Sequence, residues 1–66
     1  MDKIEEIVDR AIKYTEDILQ RAPQHYQASL DGLRRMRDNL QFGADDHPAL
    51  ERLNAYLDEL SRRFPN

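Results

Sequence analysis

Apolar residues return every three or four positions along most of this 66-residue chain, the rhythm of helices that carry one apolar stripe. Ile4, Ile7, Val8, Ala11, Ile12, Ile18 and Leu19 keep that spacing over residues 2–21, with Thr15 filling a small slot. Charged residues occupy the rest of that surface, and Glu6→Arg10 and Asp9→Lys13 place acid before base one turn apart, the stabilising order on a helix. Pro23 predicts the end of this first helix. Its ring disfavours helical backbone at Ala22 and suits the first turn of a new helix.

The second stripe, over residues 24–41, is narrower: Tyr26, Leu30, Leu33, Met36 and Leu40. Gly32 lies inside it at a cost of about 1 kcal/mol relative to alanine. Tyr26, Leu30 and Leu33 hold their phase across the glycine, which predicts a continuous helix. Phe42-Gly43-Ala44-Asp45-Asp46 then reads as helix end, glycine cap and loop. Asp46 or His47 is the expected cap of a third helix over residues 47–63, with Pro48 in its first turn. Leu50, Leu53, Leu57, Leu60 and Phe64 step by three, four, three and four, the cleanest stripe of the chain. Arg62 and Arg63 suit the negative end of that helix, and Pro65 stops it. Three helices with short connections predict an all-α fold, a three-helix antiparallel up-down-up bundle, with residues 1–66 as a single domain.

Composition narrows the functional classes. A domain this small buries only about 60% of the surface its unfolded chain exposes, which leaves little room for a deep ligand cavity. There is no cysteine, so the disulfides that reinforce small secreted domains are absent and a reducing, cytoplasmic setting is expected. No apolar run reaches the roughly 18 residues of a membrane span, and the start, Met1 to Glu6, is acidic where a secretory leader would be basic. Ten bases against thirteen acids give a net charge of −3, which favours solubility and weighs against nucleic acid as the main partner.

Candidate chemistry is sparse. His25 and His47 begin successive helices, so an up-down-up path puts them at opposite ends. Without thiols or a third ligand, no metal site is expected, and Asp45 and Asp46 read as capping acids. The acidic pairs Glu5-Glu6, Glu16-Asp17 and Asp58-Glu59 lie on polar faces rather than in a pocket that would shift their pKa. Ser29, Ser61 and Thr15 have no activating signature, and Gly32 and Gly43 form no phosphate loop. The expectation is a chain that is not an enzyme, with no cofactor and no small-molecule substrate. Arg34, Arg35 and Arg37 crowd the second helix, where a DNA reader would place them. Asp31 and Asp38 are within pairing distance along the same helix, so a salt-bridged surface is the expected arrangement.

Leu33-Arg34-Arg35-Met36-Arg37-Asp38-Asn39-Leu40 resembles the core of the death-motif helix found in antagonists of the apoptosis-regulating helical proteins. The apolar spacing and Asp38 carry the likeness over these eight residues. Arg37 stands where that motif has a small residue, and Ser29 stands where it has an apolar anchor. The resemblance implies an amphipathic helix that docks on a helical partner.

Ala28 and Gly32, four apart, form a small step where another helix can approach closely. Tyr26 is on the core stripe, while Tyr14 and Tyr56 fall at stripe edges, where a ring rests on the core or anchors a partner. Ala28, Gly32, Arg35, Tyr14 and Tyr56 are therefore the candidate interaction surface. The leading expectation is a small non-enzymatic helical module that binds another protein or itself. A designed bundle without a biological role is a second reading, supported by consistent caps and clean stripes. A small nucleic-acid binder using the second helix's arginines is a third.

Overall fold

The computed structural model describes residues 2–44 and 47–64. Asp2 starts the first helix: its backbone is extended, and its carboxylate accepts from the Ile4 N–H at 2.9 Å, satisfying one of the donors a helix start leaves open. Helix α1 then runs Lys3–Arg21, with Glu5 and Glu6 in its first turn. Ala22 leaves helical geometry (φ −146°, ψ 77°) ahead of Pro23, while its N–H still donates to the Ile18 carbonyl at 2.7 Å. The turn is tighter than the sequence suggested. Pro23–His25 forms a single 3-10 turn, and helix α2 begins after it, covering Tyr26–Ala44.

Helix α2 is continuous through Gly32, as its phase predicted. It also passes through Gly43 to Ala44, so Gly43 is helical backbone and not the expected cap. Helix α3 covers Pro48–Arg63. His47 is its cap: Nδ1 accepts from the Ala49 N–H at 3.1 Å. The expected Asp46 cap and Pro65 stop lie outside the described residues. Arg62 and Arg63 occupy the last turn of α3, and Phe64 leaves the helix with its N–H on the Leu60 carbonyl at 2.9 Å.

The described residues form a bundle of these three helices with no strand. Cross-helix pairs fix how the helices run. From α1 to α3 they are Asp2–His47, Glu5–Arg52, Asp9–Arg52 and Glu16–Arg63, advancing together along both helices. From α2 to α3 they run in opposite order: Tyr26 stacks on Phe64 with ring centroids 5.0 Å apart, while Arg37 reaches Asn54. This order of pairings is the one an up-down-up path produces.

Helix α3 is the centre of the bundle. It buries Ala49, Leu50, Leu53, Tyr56, Leu57 and Leu60, whereas α1 buries Val8, Thr15 and Leu19, and α2 buries Leu30 and Leu33. Helices α1 and α2 both lean on α3 and touch each other least. Their narrow contact has a direct sequence cause: the facing positions of α2 are Ala28, Ser29 and Gly32, too small to reach across.

Two expectations about packing need correction. Ile7, counted in the α1 stripe, is 40% exposed, because the buried side of α1 centres on Val8 and Thr15 and turns Ile7 away from α3. The ion pairs also differ. Glu6–Arg10 forms at 3.4 Å, but Asp9 joins Arg52 rather than Lys13. Asp38 pairs with Arg37. Arg34 and Arg35 have no ion pair among the described residues, so the middle of α2 is not the salt-bridged surface expected of it.

Candidate functional site

Between α1 and α2 lies an open groove of about 630 Å³. Its α1 wall is Ala11, Tyr14, Thr15 and Ile18, one helical face at spacings of three and four. Its α2 wall is His25, Ala28, Ser29, Gly32, Leu33 and Met36. The groove brings together three of the five candidate interaction residues: Tyr14, Ala28 and Gly32. Tyr14 is 68% exposed, an unusual placement for an aromatic ring that has an apolar wall beside it.

Gly32 fits this picture differently from the sequence reading. Apart from its chain neighbours and the helix's own backbone, a Cβ built there meets no heavy atom within 4 Å, so the glycine is not a notch filled by a neighbouring helix of the same chain. It leaves the α2 wall of the groove open instead. Arg35 follows Gly32 by three residues and is exposed on the outer edge of that wall.

Tyr56 does not belong to this surface. It is 7% exposed, in the core between α1 and α3, and its hydroxyl donates to Glu16 Oε1 at 2.8 Å. The expected stripe-edge ring is buried because Glu16 gives its hydroxyl a partner inside the bundle. Arg63 donates to the same carboxylate at 2.6 Å and to Glu59 at 3.2 Å. The Arg63 guanidinium holds the Glu16 carboxyl below its usual range, with the Tyr56 hydroxyl adding to the effect. Burial, and then the Glu16 contact, push the Tyr56 hydroxyl up. These groups tie α1 to α3, and none of them lines the groove.

His47 uses both ring nitrogens. Nδ1 accepts from the Ala49 N–H, so the ring proton belongs on Nε2, which donates to Asp2 Oδ2 at 2.5 Å. The assignment follows from the hydrogen-bond network. Asp2 thus caps α1 with one oxygen and receives the cap of α3 with the other. The His47 contact holds its carboxyl below the usual aspartate range. Sequence reasoning offered His47 as one of two caps for α3 and named none for α1; it missed their junction, because contacts between residues 45 apart leave no local signal.

The two imidazoles are far apart. His47 stands at the start of α1 and His25 beyond its end, separated by a 19-residue helix that is roughly 28 Å long at 1.5 Å per residue. Among the described residues no cluster could hold a metal ion. Ser29 lies one turn from His25, and both line the groove opposite Thr15, a juxtaposition the sequence reading did not make. No hydrogen bond joins these three side chains among the described residues, and no groove-lining residue is acidic. A nucleophile needs a bonded base and an orienting group, and neither is in place.

Leu33, in the middle of the death-motif resemblance, is buried in the chain's own core. Met36 and Leu40 pack against that core as well, so the apolar positions of that stretch are already occupied within the fold. No helix among the described residues is long and apolar enough to cross a membrane. No known protein family, no curated protein and no solved structure matches this chain.

Proposed function

We propose that this chain is a non-enzymatic protein-interaction module that receives an amphipathic helix of another protein in the groove between α1 and α2. One observation carries the proposal: an open groove of about 630 Å³ whose α2 wall includes a glycine where an added Cβ would meet no neighbouring element within 4 Å, and whose lip is an exposed tyrosine. Grooves of this kind accept the apolar face of a helix. The small residues Ala28 and Gly32 allow the visiting backbone to approach closely, and Tyr14 supplies the rigid amphipathic ring typical of binding hot spots. A third element on α1 and α2 would complete the coverage that α3 supplies on their other side.

A library of displayed helical peptides, selected on the folded chain and counter-screened on Gly32→Leu, tests this reading. Helical binders that fail on Gly32→Leu support it. Binders that ignore the substitution place the interaction elsewhere and refute it. Self-association is the second reading, favoured by the same exposed Tyr14 and Ile7. A concentration-dependent mass in solution, abolished by Gly32→Leu, distinguishes it.

A further inference from the structure

The groove has a charge pattern that the chain as a whole lacks. The strip of α1 beside it reads Lys3, Ile7, Arg10, Tyr14, Ile18 and Arg21, stepping by four, three, four, four and three along one helical face. The facing strip of α2 reads His25, Ala28, Gly32, Arg35 and Asn39, stepping by three and four. Neither strip contains an acid, although acids outnumber bases thirteen to ten in the chain. Lys3, Arg10, Arg21 and Arg35 border the groove without lining it; Glu6 and Asp17 pair with Arg10 and Arg21, and Asp31 stands one turn before Arg35.

The acids of α1 lie elsewhere. Glu5, Asp9 and Glu16 turn toward α3 and pair with Arg52 and Arg63. Glu6 and Asp17 stand one step outside the strip, on Arg10 and Arg21. Those two pairs are well exposed, and exposed pairs hold weakly, so an incoming carboxylate can share or replace them. Lys3 and Arg35 have no ion pair among the described residues.

Resting on the groove reading above, we infer that the helix this groove receives is acidic along its flanks: an amphipathic segment with an apolar seam bordered by Glu or Asp. The seam lies over Ala28 and Gly32, and the flanking carboxylates meet Lys3, Arg10 and Arg21 on one side and Arg35 on the other. Charge complementarity also selects against a second copy of this chain. A two-fold interface sets the same patch against itself, which brings cationic strip onto cationic strip. It selects against a basic helix for the same reason.

Two synthetic helical peptides of about 20 residues, long enough to form several turns, test the inference by fluorescence anisotropy on the whole chain. They share one Leu/Ala seam and differ only in carrying Glu or Lys on the flanks. The Glu peptide is expected to bind at least roughly tenfold more tightly at low salt, with the gap closing as salt screens the exposed charges. Arg35→Glu, at an exposed site, is expected to weaken the Glu peptide and strengthen the Lys peptide. Gly32→Leu is expected to abolish both. Circular dichroism checks that it folds, and Ala28→Leu on the same wall replaces it if it does not. Equal binding of the two peptides, lost in Gly32→Leu, keeps the groove reading and overturns the acidic partner. Tighter binding of the Lys peptide overturns it as well. Failure of both peptides at millimolar concentration overturns the groove reading itself. A single-stranded oligonucleotide that binds regardless of Gly32→Leu and is lost with Arg35→Glu makes the cations a phosphate surface and overturns the inference.

Discussion

Replacing Gly32 by alanine separates the geometry found here from the one the sequence suggested. A close-packed notch would make the new methyl clash, as overpacking does, at a cost of about 1–3 kcal/mol. Apart from its chain neighbours and the helix's own backbone, the structure puts no heavy atom within 4 Å of that methyl, and α2 is helical on both sides of the site. No glycine among the described residues has a positive φ, so alanine adopts the same backbone without strain. What remains is the difference between glycine and alanine in a helix interior, about 0.5–1 kcal/mol in favour of alanine, most of it unfolded-state entropy. For a domain of this size that raises Tm by roughly 2–8 °C. Urea unfolding should show a higher midpoint with an unchanged slope, because the surface exposed on unfolding is nearly the same. Light scattering should show an unchanged mass. A lower midpoint, or a dimer that dissociates in the mutant, refutes the open groove and restores the notch.

Leu53→Ala should cost about 3–5 kcal/mol and Leu57→Ala about 2–4 kcal/mol, since Leu53 is fully enclosed and Leu57 nearly so; thermal unfolding that spares both would remove α3 from the core. His47→Ala should lose about 1 kcal/mol through its helix cap, and His47→Asn, which keeps a capping acceptor, should recover most of it in the same melts. Glu16 is held below its usual pKa by Arg63, so its contribution is present above the unfolded value and lost as pH falls through the lower folded one. Acid titration followed by circular dichroism should therefore show stability falling below about pH 4.3, the unperturbed glutamate value, and Glu16→Gln should flatten that fall while lowering stability at pH 7. An acid profile unchanged in Glu16→Gln would assign the loss to other carboxylates.

Much of the fold was legible because the period of each stripe is a local property. Leu50 through Leu60 announced α3, and Pro23 and Pro48 marked the junctions. Boundaries were less legible where backbone geometry depends on a few bonds, as in the 3-10 turn at Pro23–His25 and the passage of α2 through Gly43. The groove was half legible. Tyr14, Ala28 and Gly32 share faces that helical phase reveals, and the structure gathers them in one groove. Tyr56 was misplaced because periodicity ranks residues by angle within one helix, while its burial depends on Glu16 from another. Arg35 was among the candidates, but its lack of an ion pair among the described residues was not legible for a related reason: sequence spacing shows which pairs are within reach, not which ones the side chains choose.

The central position of α3 has a consequence for how the chain is made. Synthesis delivers α1 and α2 first, yet each depends on α3 more than on the other. At about 5–20 residues per second, the 16 residues of α3 take roughly one to three seconds to be synthesised. Through that interval Val8, Leu19, Leu30 and Leu33 have no third helix to cover them. The nascent hairpin is then a target for proteases and for holding chaperones, and folding waits for Leu60 to clear the ribosome. Stalled chains ending after α2 should be cut readily in limited proteolysis, and chains released past α3 should resist. Protection already present at the earlier length would show that the first two helices hold together without the third.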